Sequence, residues 1–224
     1  MELEIIARVH TDFPTKFGLP RQSGLAALPA EIVFEPPFRD ASCIRGIGGW
    51  SHLWLIWQFD RAVASGWAPT VAPPKLGGRE RVGVFATRSP FRPNFMGLSC
   101  VRLEQVEEHT PRGPVLHVSG ADLADGTPIF DIKPYLPYAD SVPGAADAFA
   151  DKRRGGLLQV DFPAQWLEMI PEDKRAALLQ VLALDARPGY QDDPARRYGF
   201  PYAGFDVRFT VAEGRLTVVE VVRL

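Results

Sequence analysis

The chain has 224 residues and a formal net charge of -2, with 46% hydrophobic and 23% charged residues. This composition is that of one large globular domain, or one domain with a small appendage, and it excludes a disordered chain. It also argues against a surface that is basic throughout, so an RNA ligand would need a local basic patch.

The N-terminal half predicts two strands separated by a long irregular stretch. Residues 2–9 alternate apolar and polar side chains with the period of a half-buried strand. Residues 11–49 are rich in proline and glycine and predict irregular structure. Residues 50–59 are apolar on both faces and follow two glycines, which predicts a buried central strand.

Further short strands are predicted at residues 81–86, 98–106, 115–119 and 129–133. Glycine and proline number 20 and 21, well above their usual combined share of about 12%. The many tight turns that this implies favour short strands over long helices. Strands at this spacing indicate a mostly β fold, an antiparallel barrel or sandwich.

The C-terminal part predicts a small α+β unit. Pro171 and two following acids mark a helix start, and Pro188 marks its end. The apolar stripe of this helix is Ala177, Leu178, Val181, Leu182 and Leu184. Residues 205–222 predict a hairpin that turns at Glu213-Gly214 and faces inward with Phe205, Val207, Phe209, Val211, Leu216, Val218 and Val222. We expect a boundary near residues 153–156, which gives domains 1–155 and 156–224.

The sequence lacks recognisable metal-binding and targeting motifs. Two cysteines and four scattered histidines lack metal-ligand spacing, so we expect no metal and two reduced core thiols in a cytoplasmic protein. His52 lies in an apolar strand and is expected to be a core imidazole. The N-terminus lacks a signal-peptide pattern and no run of about 18 residues is apolar enough to predict a membrane span.

The most informative stretch is the polar loop that follows Ala86. Prolines stiffen it, and its polar side chains stand between two aromatic residues: Thr87, Arg88, Ser89, Pro90, Phe91, Arg92, Pro93, Asn94 and Phe95. Guanidinium groups match phosphate or carboxylate, and aromatic faces accept stacked bases. The pattern is typical of a preorganised binding loop, although an exposed loop with chance arginines would have the same composition.

A second polar segment spans residues 120–140. The Asp125-Gly126-Thr127-Pro128 sequence predicts a turn whose N–H and C=O groups could meet an adenine edge, while an aspartate could hold ribose hydroxyls. Asp131 and Lys133 share a strand face, so we expect an ion pair between them. Tyr135 and Tyr138 could equally be residues at the rim of the core.

With these segments the sequence resembles the TsaA-like (TrmO) family. The matching motifs are Thr87–Asn94, Asp125–Pro128 and Asp131–Pro137, supported by shorter matches at residues 20–24, 51–54, 81–86 and 185–190. The resemblance implies a compact β-barrel that binds S-adenosylmethionine without a Rossmann-like fold. It also implies a homodimer with its cofactor sites near the subunit interface. The implied reaction methylates N6-threonylcarbamoyladenosine in tRNA, next to the anticodon.

The resemblance also implies the residues of the site. The family's cofactor contacts match Gln22, Ser23, Gly24, Asp60, Arg61, Arg88, Leu98, Asp125, Gly126, Thr127 and Pro128. Two positions depart from the family pattern: Phe95 stands where the family usually has proline, and Asp60 where many bacterial relatives have histidine.

The acceptor nitrogen of such a substrate is a poor nucleophile, because it lies between adenine and a carbonyl. Arg88 and Arg92 are candidates for orientation and charge, and Asp131 or a tyrosine for proton transfer. The predicted catalytic residues are Arg92, Asn94, Asp131 and Tyr135. Three alternatives stay open: a nucleotide- or RNA-binding module without chemistry, a methyltransferase for a small molecule or protein, and a hydrolase.

Overall fold

The computed structural model describes residues 2–73, 80–146, 156–187 and 193–224. Its strands are β1 (Ala7–His10), β2 (Pro29–Phe34), β3 (His52–Gln58), β4 (Thr70–Val71), β5 (Val82–Gly83), β6 (Met96–Glu107), β7 (Val115–Ser119), β8 (Pro128–Pro134), β9 (Gln159–Asp161), β10 (Tyr198–Tyr202), β11 (Phe205–Ala212) and β12 (Arg215–Arg223). The α-helices are α1 (Pro137–Asp140), α2 (Ala164–Leu167) and α3 (Glu172–Ala183). Short 3-10 helices lie at Pro36–Phe38, Ala41–Ile44, Ile47–Gly49, Asp60–Ser65 and Val84–Ala86.

Six strands close into a barrel in the order β1-β2-β7-β6-β3-β8, and neighbouring strands are antiparallel. Leu53, Leu55 and Trp57 of β3 point into this barrel and are buried. The alternate residues of β3 face outward and are half-buried. The predicted antiparallel barrel is therefore confirmed, whereas the prediction that β3 is buried on both faces is wrong.

The C-terminal unit is a four-stranded sheet, β10-β11-β12-β9, with α3 packed against it. As predicted, the helix buries Ala177, Leu178, Val181 and Leu182. The helix ends at Ala183, and Asp185 beyond it has a left-handed φ of 53°. Pro188, the predicted helix stop, lies outside the described residues.

Residues 11–28, here called the connecting segment, leave the barrel after β1 and complete the core of the C-terminal unit. Phe13, Ala26 and Leu28 are buried in that core. The Ala27 N–H donates to Oε1 of Gln180 at 2.7 Å. An ion pair of 2.6 Å joins Lys174 to Asp12. The connecting segment is thus shared by both parts of the chain.

Several sequence predictions differ from the structure in local detail. The first strand covers only Ala7–His10, and the second half of residues 81–86 forms a 3-10 helix, Val84–Ala86, after the two-residue β5. Strands β2, β4, β9 and β10 were not predicted. A register shift opposite Arg208 and Phe209 places Val221 rather than Val222 on the buried face of β12.

Three side chains also differ from expectation. Cys43 is exposed and Cys100 is half-buried, so these free thiols are not core residues. His52 is not a core imidazole: it lies on the outer barrel face, where its Nδ1 is 3.0 Å from the Ser51 hydroxyl. None of the helices in the described ranges combines the length and the apolar character needed to cross a membrane.

Candidate functional site

The arginine loop, residues 87–95, is braced by its own polar groups. The Ser89 N–H donates to the Thr87 hydroxyl oxygen at 3.2 Å. The Arg92 guanidinium donates to the Thr87 carbonyl at 2.8 Å. Arg92 therefore holds the loop in shape with one of its N–H groups, while Arg88 and Asn94 are exposed.

The arginine loop lies along residues 59–68. The Phe59 N–H donates to the Phe95 carbonyl at 2.7 Å, and the Ala68 N–H donates to the Phe91 carbonyl at 3.2 Å. These bonds place Asp60 and Arg61 beside the end of the loop. Phe95 has a φ of 50°, which a proline cannot adopt because its ring fixes φ near −65°. A proline at this position would therefore require a different backbone at the end of the loop.

Residues 22–24 occupy the edge of β6 that β7 leaves open. Strand β7 ends at Ser119, opposite Arg102. Beyond that point the Cys100 N–H donates to the Ser23 hydroxyl oxygen at 3.1 Å. The Gly24 N–H donates to the Gly120 carbonyl at 2.9 Å. Arg88 of the arginine loop donates to Oε1 of Gln22, so three segments meet at this edge.

The N–H groups of the predicted turn at residues 125–128 are already used within the chain. The Asp125 N–H donates to the Phe13 carbonyl, the Gly126 N–H to the Val9 carbonyl and the Thr127 N–H to the Ala124 carbonyl. This corrects the expectation that these N–H groups meet an adenine edge. The carbonyl oxygens, each with a second lone pair, and the Asp125 carboxylate can still accept hydrogen bonds from a ligand.

Two arginines and a histidine surround the same turn. Arg61 donates to the Asp125 carbonyl at 3.1 Å and to the Pro14 carbonyl at 2.8 Å. Arg8 donates to the Gly126 carbonyl at 3.1 Å. Nδ1 of His10 lies 3.3 Å from Oδ1 of Asp125, whose side chain is 46% exposed. Arg8 and His10 were not singled out from the sequence, because they belong to β1 and no local motif joins them to Asp125.

A chain of polar groups runs from the barrel interior to this surface. The Trp57 indole N–H donates to Oγ of Ser99 at 3.0 Å. The Ser99 hydroxyl donates to Oδ1 of Asp122 at 2.6 Å. Burial raises the pKa of the Asp122 carboxyl, while the Ser99 hydrogen bond, nearby backbone N–H groups and the charge of Arg88 act in the opposite direction.

Loop 120–127 therefore lies between two arginines of the predicted site. Arg61 contacts it at Asp125, and the charge of Arg88 acts to lower the pKa of the Asp122 carboxyl. The connecting segment runs beside it, and contacts Arg61 at Pro14 and Arg88 at Gln22. One chain thus brings together Gln22 to Gly24, Arg61, Arg88 and the Asp125 turn. Thr127 and Pro128 are buried and shape the turn.

Predicted site residues are spread over the outer face of the barrel. Leu98 is 55% exposed, and both Leu98 and Asp131 pair with Ile56 of β3. Two strand spacings, roughly 10 Å, therefore separate Asp131 from Leu98. The predicted ion pair of Asp131 is confirmed, with Lys133 at 3.1 Å.

Tyr135 is remote from this row. Its N–H donates to the His52 carbonyl at 3.0 Å, at the opposite end of β3 from Gln58. Its ring centre lies 5.8 Å from that of Trp54. Arg92 and Asn94 thus belong to the arginine loop, Asp131 lies two strands from Leu98, and Tyr135 lies at the other end of the barrel face.

Two clefts lie away from the arginine loop. One of about 650 Å³ separates β1, β2 and β7 from α3. A smaller one, of about 190 Å³, lies between the connecting segment and the end of α3. Neither cleft is lined by the arginine loop or by the turn at residues 125–128. Within the described ranges, no group of three or more histidine, cysteine or acidic residues could hold a metal ion.

The chain matches two family models. Residues 8–141 match the tRNA-methyltransferase O N-terminal domain, and residues 157–224 match the TrmO C-terminal domain. The matched ranges include every residue of the arginine loop and of the Asp125 turn.

Relatives and solved structures agree with this match along nearly the whole chain. A tRNA (adenine(37)-N6)-methyltransferase of Escherichia coli is 38% identical over 226 residues, covering 97% of this chain and 96% of the relative. A Pseudomonas aeruginosa protein, described by its name as an S-adenosylmethionine-dependent methyltransferase, is 40% identical over 213 residues, with coverages of 91% and 90%. The crystal structure of TrmO from Pseudomonas aeruginosa superposes with a TM-score of 0.80 at 33% identity, covering 100% of this chain and 97% of that one.

Proposed function

The chain belongs to the tRNA-methyltransferase O family, and from this premise we propose its reaction. It is an S-adenosylmethionine-dependent methyltransferase that methylates N6 of N6-threonylcarbamoyladenosine in tRNA, next to the anticodon. The observation that carries the proposal is the convergence of Gln22, Arg88 and Asp125 around loop 120–127. These residues come from motifs far apart in the sequence and meet only because the barrel closes.

The chemistry of this surface fits the proposed cofactor. The Asp125 carboxylate is half-exposed beside His10 and suits a ribose diol. The carbonyl oxygens of the turn can accept hydrogen bonds from the adenine amino group. Arg88 is exposed and its fork suits a carboxylate. Leu98 is exposed on β6 and offers apolar contact beside these polar groups.

The proposed role of the chain is mainly alignment. When bound, the cofactor supplies an electrophilic methyl group on a sulfonium. Holding the acceptor nitrogen in line with that group can contribute an effective molarity of about 10⁵ M or more. Arg88 is assigned to the cofactor. The N–H groups of Arg92 that do not brace the loop, and the exposed amide of Asn94, are assigned to the threonyl carboxylate.

The acceptor nitrogen also has to lose a proton. We assign the acceptance of this proton to Asp131, because its carboxylate shares the outer barrel face with Leu98. Tyr135 lies at the other end of β3, so it is assigned to the tRNA-contacting face rather than to proton transfer. Asp60, exposed beside Arg61, is assigned to the rim of the cofactor site.

The active form is proposed to be a homodimer whose interface lies beside the arginine loop. Large apolar side chains near the arginine loop are exposed in the single chain, among them Trp67, Phe85 and Leu98. Apolar patches of this kind are typical of protein–protein contacts. Sedimentation velocity over a range of protein concentrations tests the proposal, which predicts twice the mass of one chain.

Two organisational proposals accompany the function. Residues 1–155 form the cofactor-binding domain and residues 156–224 a C-terminal α+β domain, a division supported by the matched ranges 8–141 and 157–224. The enzyme acts in the cytoplasm, which is supported by its proposed tRNA substrate and by the free Cys43 and Cys100.

One assay distinguishes the proposed function from its alternatives. Purified protein is mixed with radiolabelled S-adenosylmethionine and with tRNA that either carries or lacks the threonylcarbamoyl group. Label in modified tRNA alone supports the proposal. Cofactor binding without transfer would indicate a binding module, and transfer to small molecules alone would indicate a different substrate class.

A further inference from the structure

Asp122 is a partly buried acid that the proposed reaction does not yet use. It lies three residues before Asp125, on the loop that Arg88 faces. A hydrogen bond links its carboxylate to the barrel interior, and Ser23 and Arg88, from two segments of the proposed cofactor site, influence its pKa.

The inner end of this link is fixed. Ser99 is fully buried on the inner face of β6, and Trp57 is almost fully buried beside it. Because the Ser99 oxygen accepts the indole N–H, its own proton is directed at Asp122. A buried network in which each donor has a defined acceptor selects one arrangement of its side chains.

The outer end of the link reaches the cofactor segments. The Ser23 backbone N–H and the Arg88 charge both stabilise the ionised Asp122 carboxylate. Arg88 in turn donates to Gln22, and Ser23 accepts from Cys100. The carboxylate thus lies where the arginine loop and residues 22–24 meet.

We infer that Asp122 is a positioning residue, whose carboxylate, anchored by Trp57 and Ser99, holds Arg88 and residues 22–24 in the arrangement that receives S-adenosylmethionine. The inference rests on the proposed function, because it concerns the same cofactor site. It gives Asp122 no contact with the reacting atoms. Its effect is on cofactor affinity, exerted through Arg88 and Ser23.

The stability of the fold gives an independent measure of this role. Burial raises the pKa of Asp122 in the folded chain above its unfolded value. Such a group contributes stability that is fully present below the unfolded pKa and is lost as pH rises through the folded pKa. Above the folded pKa the carboxylate no longer contributes this stability. Replacement by the neutral amide should not lower the melting temperature.

The test compares Asp122→Asn with Ser99→Ala. Asp122→Asn removes the charge that faces Arg88, so affinity for S-adenosylmethionine should fall about tenfold or more while the melting temperature at pH 8 holds or rises. Ser99→Ala frees the carboxylate and leaves the Trp57 N–H unpaired, so affinity and melting temperature should both fall. In both variants the KM for the cofactor should rise while kcat at saturating cofactor stays close to that of the unchanged chain.

A matched control is Asp140→Asn. Asp140 also accepts a tryptophan indole N–H, from Trp54 at 2.9 Å, but on the outer face near α1. The affinity of the Asp140→Asn variant for S-adenosylmethionine should equal that of the unchanged chain. Unaltered affinity in Asp122→Asn, or losses of affinity that simply follow losses of stability in all three variants, would overturn the inference. An unchanged chain that neither binds the cofactor nor methylates modified tRNA would instead remove the proposed function itself.

Discussion

Arg88 connects the arginine loop to the connecting segment, since it donates to Gln22 and faces Asp122. Arg88→Ala should lower affinity for S-adenosylmethionine about tenfold or more, because a charge-assisted contact is lost. Isothermal titration calorimetry measures the affinity, and a thermal melt should show an intact fold. Arg45→Ala, at another exposed arginine, is the control. A variant at Arg88 with full affinity and full rate would remove this residue from the site.

Phe95 ends the arginine loop in a left-handed conformation. Phe95→Pro should destabilise the chain by about 2 kcal/mol or more, because proline cannot reach a φ of 50° and lacks the N–H that donates to the Arg92 carbonyl. Chemical denaturation measures the change. Phe95→Gly loses the same ring but keeps the N–H and tolerates the backbone, so it should be the more stable variant. The reverse order would show that the loop can rearrange.

At the residue scale, sequence reasoning found the groups carried by local motifs and missed those assembled by the fold. Arg88 and Asp125 stand in recognisable motifs. Ser99 and His10 lie on different strands, and only barrel closure brings them to Asp122 and Asp125. A polar residue at an inward position of β6 is a signal for Ser99, but it requires a correct strand register.

Strands β3 and β6 are packed closely at Gly97. A Cβ added there would lie 2.3 Å from the Trp57 ring, so the indole or the strand would have to move. Gly97→Ala should therefore destabilise the chain by about 1–3 kcal/mol and weaken cofactor binding through the displaced Trp57. Gly49→Ala is the matched control, since no atom lies within 4 Å of its added Cβ. Equal unfolding free energies for the two variants would contradict this close packing.

At the scale of elements, alternation predicted the hairpin of β11 and β12, because these strands bury one face. Alternation failed where a bulge shifts the register in β12. It also failed for β9, which has three residues, and for β5, which has two. Segments this short hold their conformation through neighbouring strands, so their own sequences contain little information about it.

The whole molecule has a net charge of -2, yet its proposed substrate is a polyanion. Binding should therefore depend on local arginines and weaken as salt rises from about 50 to 200 mM, since phosphate contacts release counterions. A filter-binding titration with modified tRNA measures this slope. Cofactor affinity, measured in the same buffers, is the control and should change little. An affinity for tRNA that stays the same across the salt series would argue against an RNA substrate.

For the whole chain, the sequence predicted the fold class of both units but not how the segment between β1 and β2 links them. Short strands and turns indicated a barrel, and the C-terminal helix and hairpin indicated a separate α+β unit. The sequence did not predict that Phe13, Ala26 and Leu28 complete the core of that unit. Three apolar residues spread over an irregular segment show no periodicity. Their burial in one common core is therefore visible only in the fold.

The connecting segment has a consequence for how this architecture can change. The stretch that carries Gln22 and Ser23 is held on one side by β6 and on the other by α3. The C-terminal unit is therefore no interchangeable module. If an unrelated domain replaced it, that domain would have to pack against Phe13 and Leu28 in the same way. Otherwise the conformation of the catalytic surface would change.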